Sequence, residues 1–366
     1  MNTLKKLKGA ALPLALLAAI SYVVYAATIV GPNGADTIDD TGAADSIRAL
    51  GGNDTVTCTK GGAPDIVFGG RGADTIGAGG KCEFIDGGPD GDTLTAAVGG
   101  TVLGGTGADD ITGADGAEFL DGGPDNDTIK GGKGADRVIG GTGDDTLDGE
   151  AGADRVEGGM GDDDITDGDT DNDVIDGGAG NDTITITGAG GLDIYRGGPG
   201  NDALVVTSGV AVGDVAVGDN DIFDGGPGND GITTGTDQAI VRGGDGDDGI
   251  TASGEGDNVT PGKGDDGADD GDCPPTCADG AVTLGGGNDI GIINRGDVPA
   301  GGLEEWDCGA GVDTIFFRGL GWVIPPGFGI EDGVADIVTD PSTKGIYLFR
   351  DGTGTDDTCD FAIVLP

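Results

Sequence analysis

The stretch Gly69-Gly70-Arg71-Gly72-Ala73-Asp74-Thr75-Ile76 decides how the rest of the chain is read. It fits G-G-x-G-x-D-x-U-x, with U a large apolar residue, and unbroken copies begin again at Gly104, Gly131, Gly140, Gly158, Gly177, Gly197, Gly225 and Gly243. In the middle of the chain the sixth-position acid returns every nine residues without a slip, at Asp109, Glu118, Asp127, Asp136, Asp145, Asp154 and Asp163. Two places beyond nearly every acid stands an apolar residue, as in Ile38, Ile47, Val56, Val67, Ile76, Ile85, Leu94, Ile111, Leu120, Ile129, Val138, Leu147, Val156 and Ile165. A fixed period of this kind marks a repeat architecture before any secondary structure is assigned. A longer period lies over it: Gly134-Ala135-Asp136-Arg137-Val138 recurs as Gly152-Ala153-Asp154-Arg155-Val156, so two nonapeptides make one coil. One inward residue per nine and two nonapeptides per coil predict a flattened solenoid with turns along both edges.

Composition narrows what such a solenoid can be. Of 366 residues, 83 are Gly and 67 are Asp or Glu against 18 Lys plus Arg, which leaves a formal charge of −49. Such a chain repels nucleic acid and anionic membrane, so neither is a partner. The absence of His excludes a Ser-His-Asp or Cys-His catalytic set and the His-dependent zinc enzymes. Aromatic residues are 4% of the chain, too few for a conventional packed core over most of its length. Disorder is the alternative that composition alone favours, yet disorder gives no reason to hold an apolar residue two places after an acid at fixed period.

On these residues the chain resembles the RTX family, the glycine-rich calcium-binding nonapeptide repeats of exported bacterial proteins, over nearly all of Gly31 to Phe316. The resemblance implies an all-β parallel β-roll, in which the first six residues of each nonapeptide form a calcium-binding turn and the last three a short strand pointing U inward. The metal ligands it implies are the sixth-position acids. Besides the central run these are Asp36, Asp45 and Asp54; Asp65, Asp74, Glu83 and Asp92; and Asp173, Asp182, Asp193, Asp202, Asp221, Asp230, Asp248, Asp257, Asp266, Asp289 and Asp313. Ala239 stands where an acid belongs and predicts an empty or weak turn.

The turn chemistry points the same way. Gly supplies positive φ and leaves carbonyl oxygens unshielded, and Asp adds a short carboxylate. Calcium takes six to eight oxygens in irregular geometry, whereas magnesium demands a tight octahedron and the softer metals lack the His they prefer. Burying one Ile, Val or Leu per nine residues falls short of the entropy of ordering them, so several bound calcium ions must supply the difference and metal binding and folding should be one event.

The ends and interruptions are read separately. Lysines at 5, 6 and 8, an uncharged Ala- and Leu-rich stretch from Gly9 to Val24, and Val24-Tyr25-Ala26 predict a secretory signal over residues 1–26, cut after Ala26. A membrane anchor is the alternative. The roll is assigned to residues 27–316, interrupted near 206–218 and 267–283, and residues 317–366 to a small β-rich cap hiding the last coil. There Ile346-Tyr347-Leu348-Phe349 and Phe361-Ala362-Ile363-Val364, around Asp351-Gly352-Thr353-Gly354, predict a hairpin. Asp360 followed by the apolar tail also resembles the export signal of RTX proteins, although those usually lack an N-terminal signal. Six Cys fit an oxidising compartment. Cys58 and Cys82, two nonapeptides apart on one edge, predict a disulfide, and Cys273 and Cys277 a local one.

The function predicted is that of an exported calcium-binding structural protein, secreted or on the cell surface, and not an enzyme. Almost no sequence remains to house a catalytic domain. A glycan-adhesion or ice-binding module is the alternative, and carboxylate-based hydrolysis of a polysaccharide a remote one. Ice binding is known among RTX-like repeats with regular Thr and Asn in the turn. Here Thr106 and Thr142 occupy the third position but most turns lack Thr, so no flat Thr row is predicted in the turns. Nothing in the sequence indicates an oligomer.

Overall fold

The computed structural model describes residues 27–59, 64–77, 81–188, 191–206, 221–234, 239–252, 258–264, 266–269 and 289–293, and the backbone of further short strands up to Val364. The predicted signal, the interruption near 206–218 and the Cys273/Cys277 pair lie outside them. All regular structure among these residues is strand. Successive strands alternate between two parallel sheets. One sheet contains Arg137–Thr142 and Arg155–Met160, the other Thr128–Lys133 and Thr146–Ala151. In the first, Arg137 pairs with Arg155 and Val138 with Val156; in the second, Thr128 pairs with Thr146 and Ile129 with Leu147. The step between paired residues is therefore the eighteen read from the sequence.

Alternation along each strand turns U inward. Ile47, Val67, Ile85, Val102, Leu120, Val138 and Val156 form one buried row and Val56, Ile76, Leu94, Ile111, Ile129, Leu147 and Ile165 the facing one, all within 2% of complete burial. Tyr195 and Phe223 take U places farther along and stack with ring centroids 5.1 Å apart. The interior is one side chain deep on each sheet, so the rows hold the coils in register while contributing little burial per residue.

The turns between sheets need positive φ at the second and fourth positions of the repeat, as at Gly132 (φ 105°) and Gly134 (φ 140°). A Cβ at Gly132 would meet the carbonyl oxygen of Ala114 in the preceding coil, so both conformation and space select glycine. Four described non-glycine residues adopt such a conformation: Leu50 and Glu150 at the second position, Asp90 and Asp125 at the fourth.

Cys58 and Cys82 are bonded, as the spacing predicts. The predicted C-terminal hairpin does not form. Ile346–Arg350 runs parallel to Leu303–Asp307 and antiparallel to Asp336–Thr339, while Thr358–Val364 runs parallel to Ala310–Arg318. The two segments join different sheets, because each finds an open strand edge at the end of the roll. Parallel pairing thus continues beyond Phe317.

Leu50 is 43% exposed with φ 81°. Relief of the left-handed penalty, about 1 kcal/mol, should offset loss of the half-buried side chain, so Leu50→Gly should leave the thermal midpoint of the calcium-loaded protein close to that of the parent. A thermal melt showing a much lower midpoint for the variant would contradict the turn geometry.

Candidate metal centre

Each coil places two sixth-position residues, one at each edge, where the turn ends and the next strand begins. On the edge entering the second sheet, the backbone N–H of each acid donates to Oδ1 of the acid one coil later. The chain of bonds runs Asp36, Asp54, Asp74, Asp92, Asp109, Asp127, Asp145, Asp163, Asp182, Asp202, Asp230, Asp248, Asp266, Asp289, with N···O distances of 2.7–2.9 Å. In every acid from Asp36 to Asp248 the other oxygen, Oδ2, is buried and accepts no hydrogen bond.

The opposite edge is interrupted. Asp45 donates to Asp65, and a second run links Glu118, Asp136, Asp154, Asp173, Asp193 and Asp221 at 2.6–3.0 Å. Cys82 stands opposite Asp65, with a register shift beside it, and Glu83 is pushed out to an exposed position apart from the ladder. Gly100 occupies the next place and brings no carboxylate. Ala239, fully buried, follows Asp221, so the ladder has no carboxylate where the sequence lacks an acid. Asp257 lies outside the described residues. Asp313 is on the strand Ala310–Arg318, its side chain likewise outside them.

Glycine at the first position closes most turns of this ladder over the carboxylate; Ala49 before Asp54 and Pro261 before Asp266 are exceptions. A Cβ on Gly140 would meet both Asp145 Oδ2 and, at 2.7 Å, the carbonyl oxygen of Gly158 in the next coil. Gly122 and Gly177 stand in the same relation to Asp127 and Gly140, and to Asp182 and Gly197. In these glycine-bearing turns the space beside Oδ2 is lined by oxygens and has no room for a side chain at the first position. The described ion pairs, Lys133 with Asp115, Arg137 and Arg155 with Glu157, and Lys263 with Asp245, all lie at exposed positions away from the ladders. Stacked carboxylates with buried free oxygens, carbonyls alongside and no cationic side chain fit a hard divalent ion.

Burial is the main cause that pushes these carboxyls up, and neighbouring carboxylates add to it, while the N–H bonds oppose it. Asp65, Asp74, Asp109, Asp136, Asp182 and Asp248 rise to about 6. Asp92, Asp127, Asp154, Asp163, Asp193 and Asp202 rise to about 7, and Asp173 to about 8.

The structure also shows an outer ladder that the sequence reading did not identify. At the fifth position Asn126, Asp144, Asp162, Asn181, Asn201, Asn229 and Asp247 are linked coil to coil, side-chain oxygen to the next backbone N–H, at 2.7–3.0 Å. Its signal was the Asn-Asp or Asp-Asp pair that recurs at positions five and six.

A parallel β-roll with carboxylate ladders along its turns defines the class of protein. The family model of the RTX calcium-binding nonapeptide repeat matches residues 28–57, 61–80, 99–129, 130–165, 167–204 and 218–232. Across residues 28–232 the chain carries repeats of the RTX family, and it is a calcium-binding β-roll protein. No curated protein matches the chain.

Two outcomes test the site. In chelator, acids whose folded pKa lies above the unfolded value near 4 favour the fold below about pH 4 and lose that contribution as pH rises through about 6 to 8. Circular dichroism of calcium-free protein should therefore show more β-structure at pH 4 than at pH 8, and a rise in the opposite direction would contradict buried, unpaired acids. Asp145→Asn keeps an oxygen for the Asp127 N–H but removes a charge. It should raise the midpoint of the calcium titration severalfold at neutral pH without lowering the calcium-free β-content.

Proposed function

We propose that the chain is exported through its N-terminal signal and acts outside the cytoplasm as a calcium-dependent structural element, a spacer or surface component, with no catalytic role. The observation that carries this reading is the long ladder of buried carboxylates whose Oδ2 atoms accept no hydrogen bond from Asp36 to Asp248. Such a stack repels itself until a divalent ion enters, so folding follows the calcium concentration around the chain. Extracellular modules of this kind bind at about 0.1 to 1 mM, far above cytosolic free calcium. The chain would cross the membrane unfolded and fold outside, where binding to the folded state alone opposes its return.

The test is a calcium titration of the mature protein followed by circular dichroism, with fractionation of the producing cell. The reading expects β-structure to form cooperatively above micromolar calcium, much less in equal magnesium, and the protein to be found outside the cytoplasm. A midpoint well below micromolar, or retention in the cytoplasm, contradicts it.

A second reading, ice binding, is favoured by one observation. Outward-facing Thr residues recur on the second sheet, at Thr37, Thr55, Thr75 and Thr93, then Thr128 and Thr146, with each neighbouring pair in register. Thr57, Thr95, Thr112, Thr166 and Thr185 lie two residues beyond such positions, and Asp110, Lys130, Asp148 and Asp164 interrupt the pattern. This array is on the sheet and not in the turns where the sequence reading looked for it. Thermal hysteresis in calcium-loaded protein, lost in Thr128→Lys, supports this reading; its absence removes it.

A further inference from the structure

The outer faces of the two sheets differ in charge and polarity. On each strand the residues at positions seven and nine of the repeat flank the inward one and point away from the interior, as the alternating burial of Arg137–Thr142 shows. On the second sheet these places hold mostly Thr, with Asp39, Asp110, Asp148 and Asp164 against Lys130. On the first sheet they include Ile66, Phe68, Leu103, Phe119, Ile139 and Ile194, each half-buried. Between the strands Asp45–Gly51 and Asn258–Lys263 this face also carries five arginines, Arg48, Arg137, Arg155, Arg196 and Arg242. Five acids balance them: Asp86, Asp121, Glu157, Asp176 and Asp224. The face is therefore neutral on a chain of charge −49.

Neighbouring side chains hold these charges in place. The Arg48 guanidinium lies 5.2 Å from the centre of the Phe68 ring and that of Arg137 5.4 Å from the centre of Phe119. Arg137 and Arg155 both reach Glu157, at 3.9 and 3.8 Å. Burial pushes the Asp86, Asp121 and Asp176 carboxyls up, opposed at Asp121 by Arg137 and at Asp176 by Arg196. A surface that covers them further has to bring countercharge.

The order of charges along the roll supplies it. A two-fold axis along the strand Arg155–Met160, in the plane between two copies, reverses the roll and sets each strand before that one opposite the strand equally far after it. One step out, Arg137 lies across from the strand of Asp176; two steps out, Asp121 faces Arg196; four steps out, Asp86 faces Arg242. The last two pairs join residues of the same repeat position, so they meet directly. On the axis, Arg155 and Glu157 of both copies form a neutral group of four. Moving the axis half a strand step either way brings Asp86 or Asp121 opposite Asp224, and parallel rolls would set the Arg196 strand against its own copy. The overlap is about 50 Å by 10 Å, so two copies bury about 1,000 Å², the lower range for a specific interface.

We propose that the outer face of the first sheet is a homodimer interface, where two calcium-folded rolls pack antiparallel and face to face about the strand Arg155–Met160, with Asp121 on Arg196 and Asp86 on Arg242. The proposal rests on the calcium-folded roll described above. The excess negative charge lies elsewhere on the chain, so a second copy is repelled less at this face than at the turns.

Sedimentation equilibrium of the full mature chain in calcium, from about 1 μM to about 1 mM, should show a monomer and a dimer in exchange. Asp121→Arg and Arg196→Glu each set like charges opposite one another twice per dimer, so each variant alone should be monomeric where the parent is half dimeric. Mixed in equal amounts the two should dimerise again, because every contact then joins one acid to one arginine. Lys130→Glu, on the outer face of the second sheet, should leave the dimer unchanged. Circular dichroism in calcium checks folding, and Asp86→Arg with Arg242→Glu repeats the exchange if either variant fails to fold. A parent that is monomeric throughout, single variants that dimerise as the parent does, or a mixture that stays monomeric overturns the interface while the calcium-dependent fold stands. A chain that does not fold on calcium overturns the repeat reading and this interface with it.

Discussion

Everything in this roll leans on one contact, the hydrogen bond from each sixth-position backbone N–H to the carboxylate one coil later. It ties the turn of one coil to the acid of the next and sets the eighteen-residue step independently of the sheets. It also aligns the carboxylates in a column with one oxygen engaged and the other turned into a space lined by carbonyls. A column of like charges removed from water is unfavourable by itself. The bond that organises the turns therefore creates the demand for metal, and the same geometry supplies oxygens to meet it.

The glycine content follows from this arrangement more than from the strands. In most turns the first glycine lets Asp Oδ2 and the next coil's carbonyl approach, and the second and fourth positions take positive φ. The hydrophobic rows of Val, Ile and Leu supply register and little else, since each is one residue thick. Stability in such a solenoid is a sum of repeats and interfaces, so ions at the edges count once per coil as the apolar residues do.

Where the column is broken, something else takes its place. On the interrupted edge the Cys58–Cys82 disulfide and the buried Ala239 occupy positions without a ladder carboxylate, so covalent or apolar contacts substitute for ions there. The two edges of the roll are therefore unequal, one continuous and uniform, the other varied.

The period of nine, the doubled period of eighteen, the inward rows and most ladder acids were legible from residue order alone, because glycine geometry and one apolar residue per repeat leave few other ways to fold. Glu83 was misjudged in position because counting by nines cannot see the register shift that puts Cys82 opposite Asp65. The C-terminal segments read as a hairpin because a local turn is visible in sequence, whereas the open strand edges that each joined exist only once the coils are stacked. Nothing in the repeat pattern sets Asp167 or Asp169 apart. Only the folded chain shows Asp167 buried beside Tyr195, 28 positions away, because side-chain convergence across coils depends on how the turns stack and not on their local pattern.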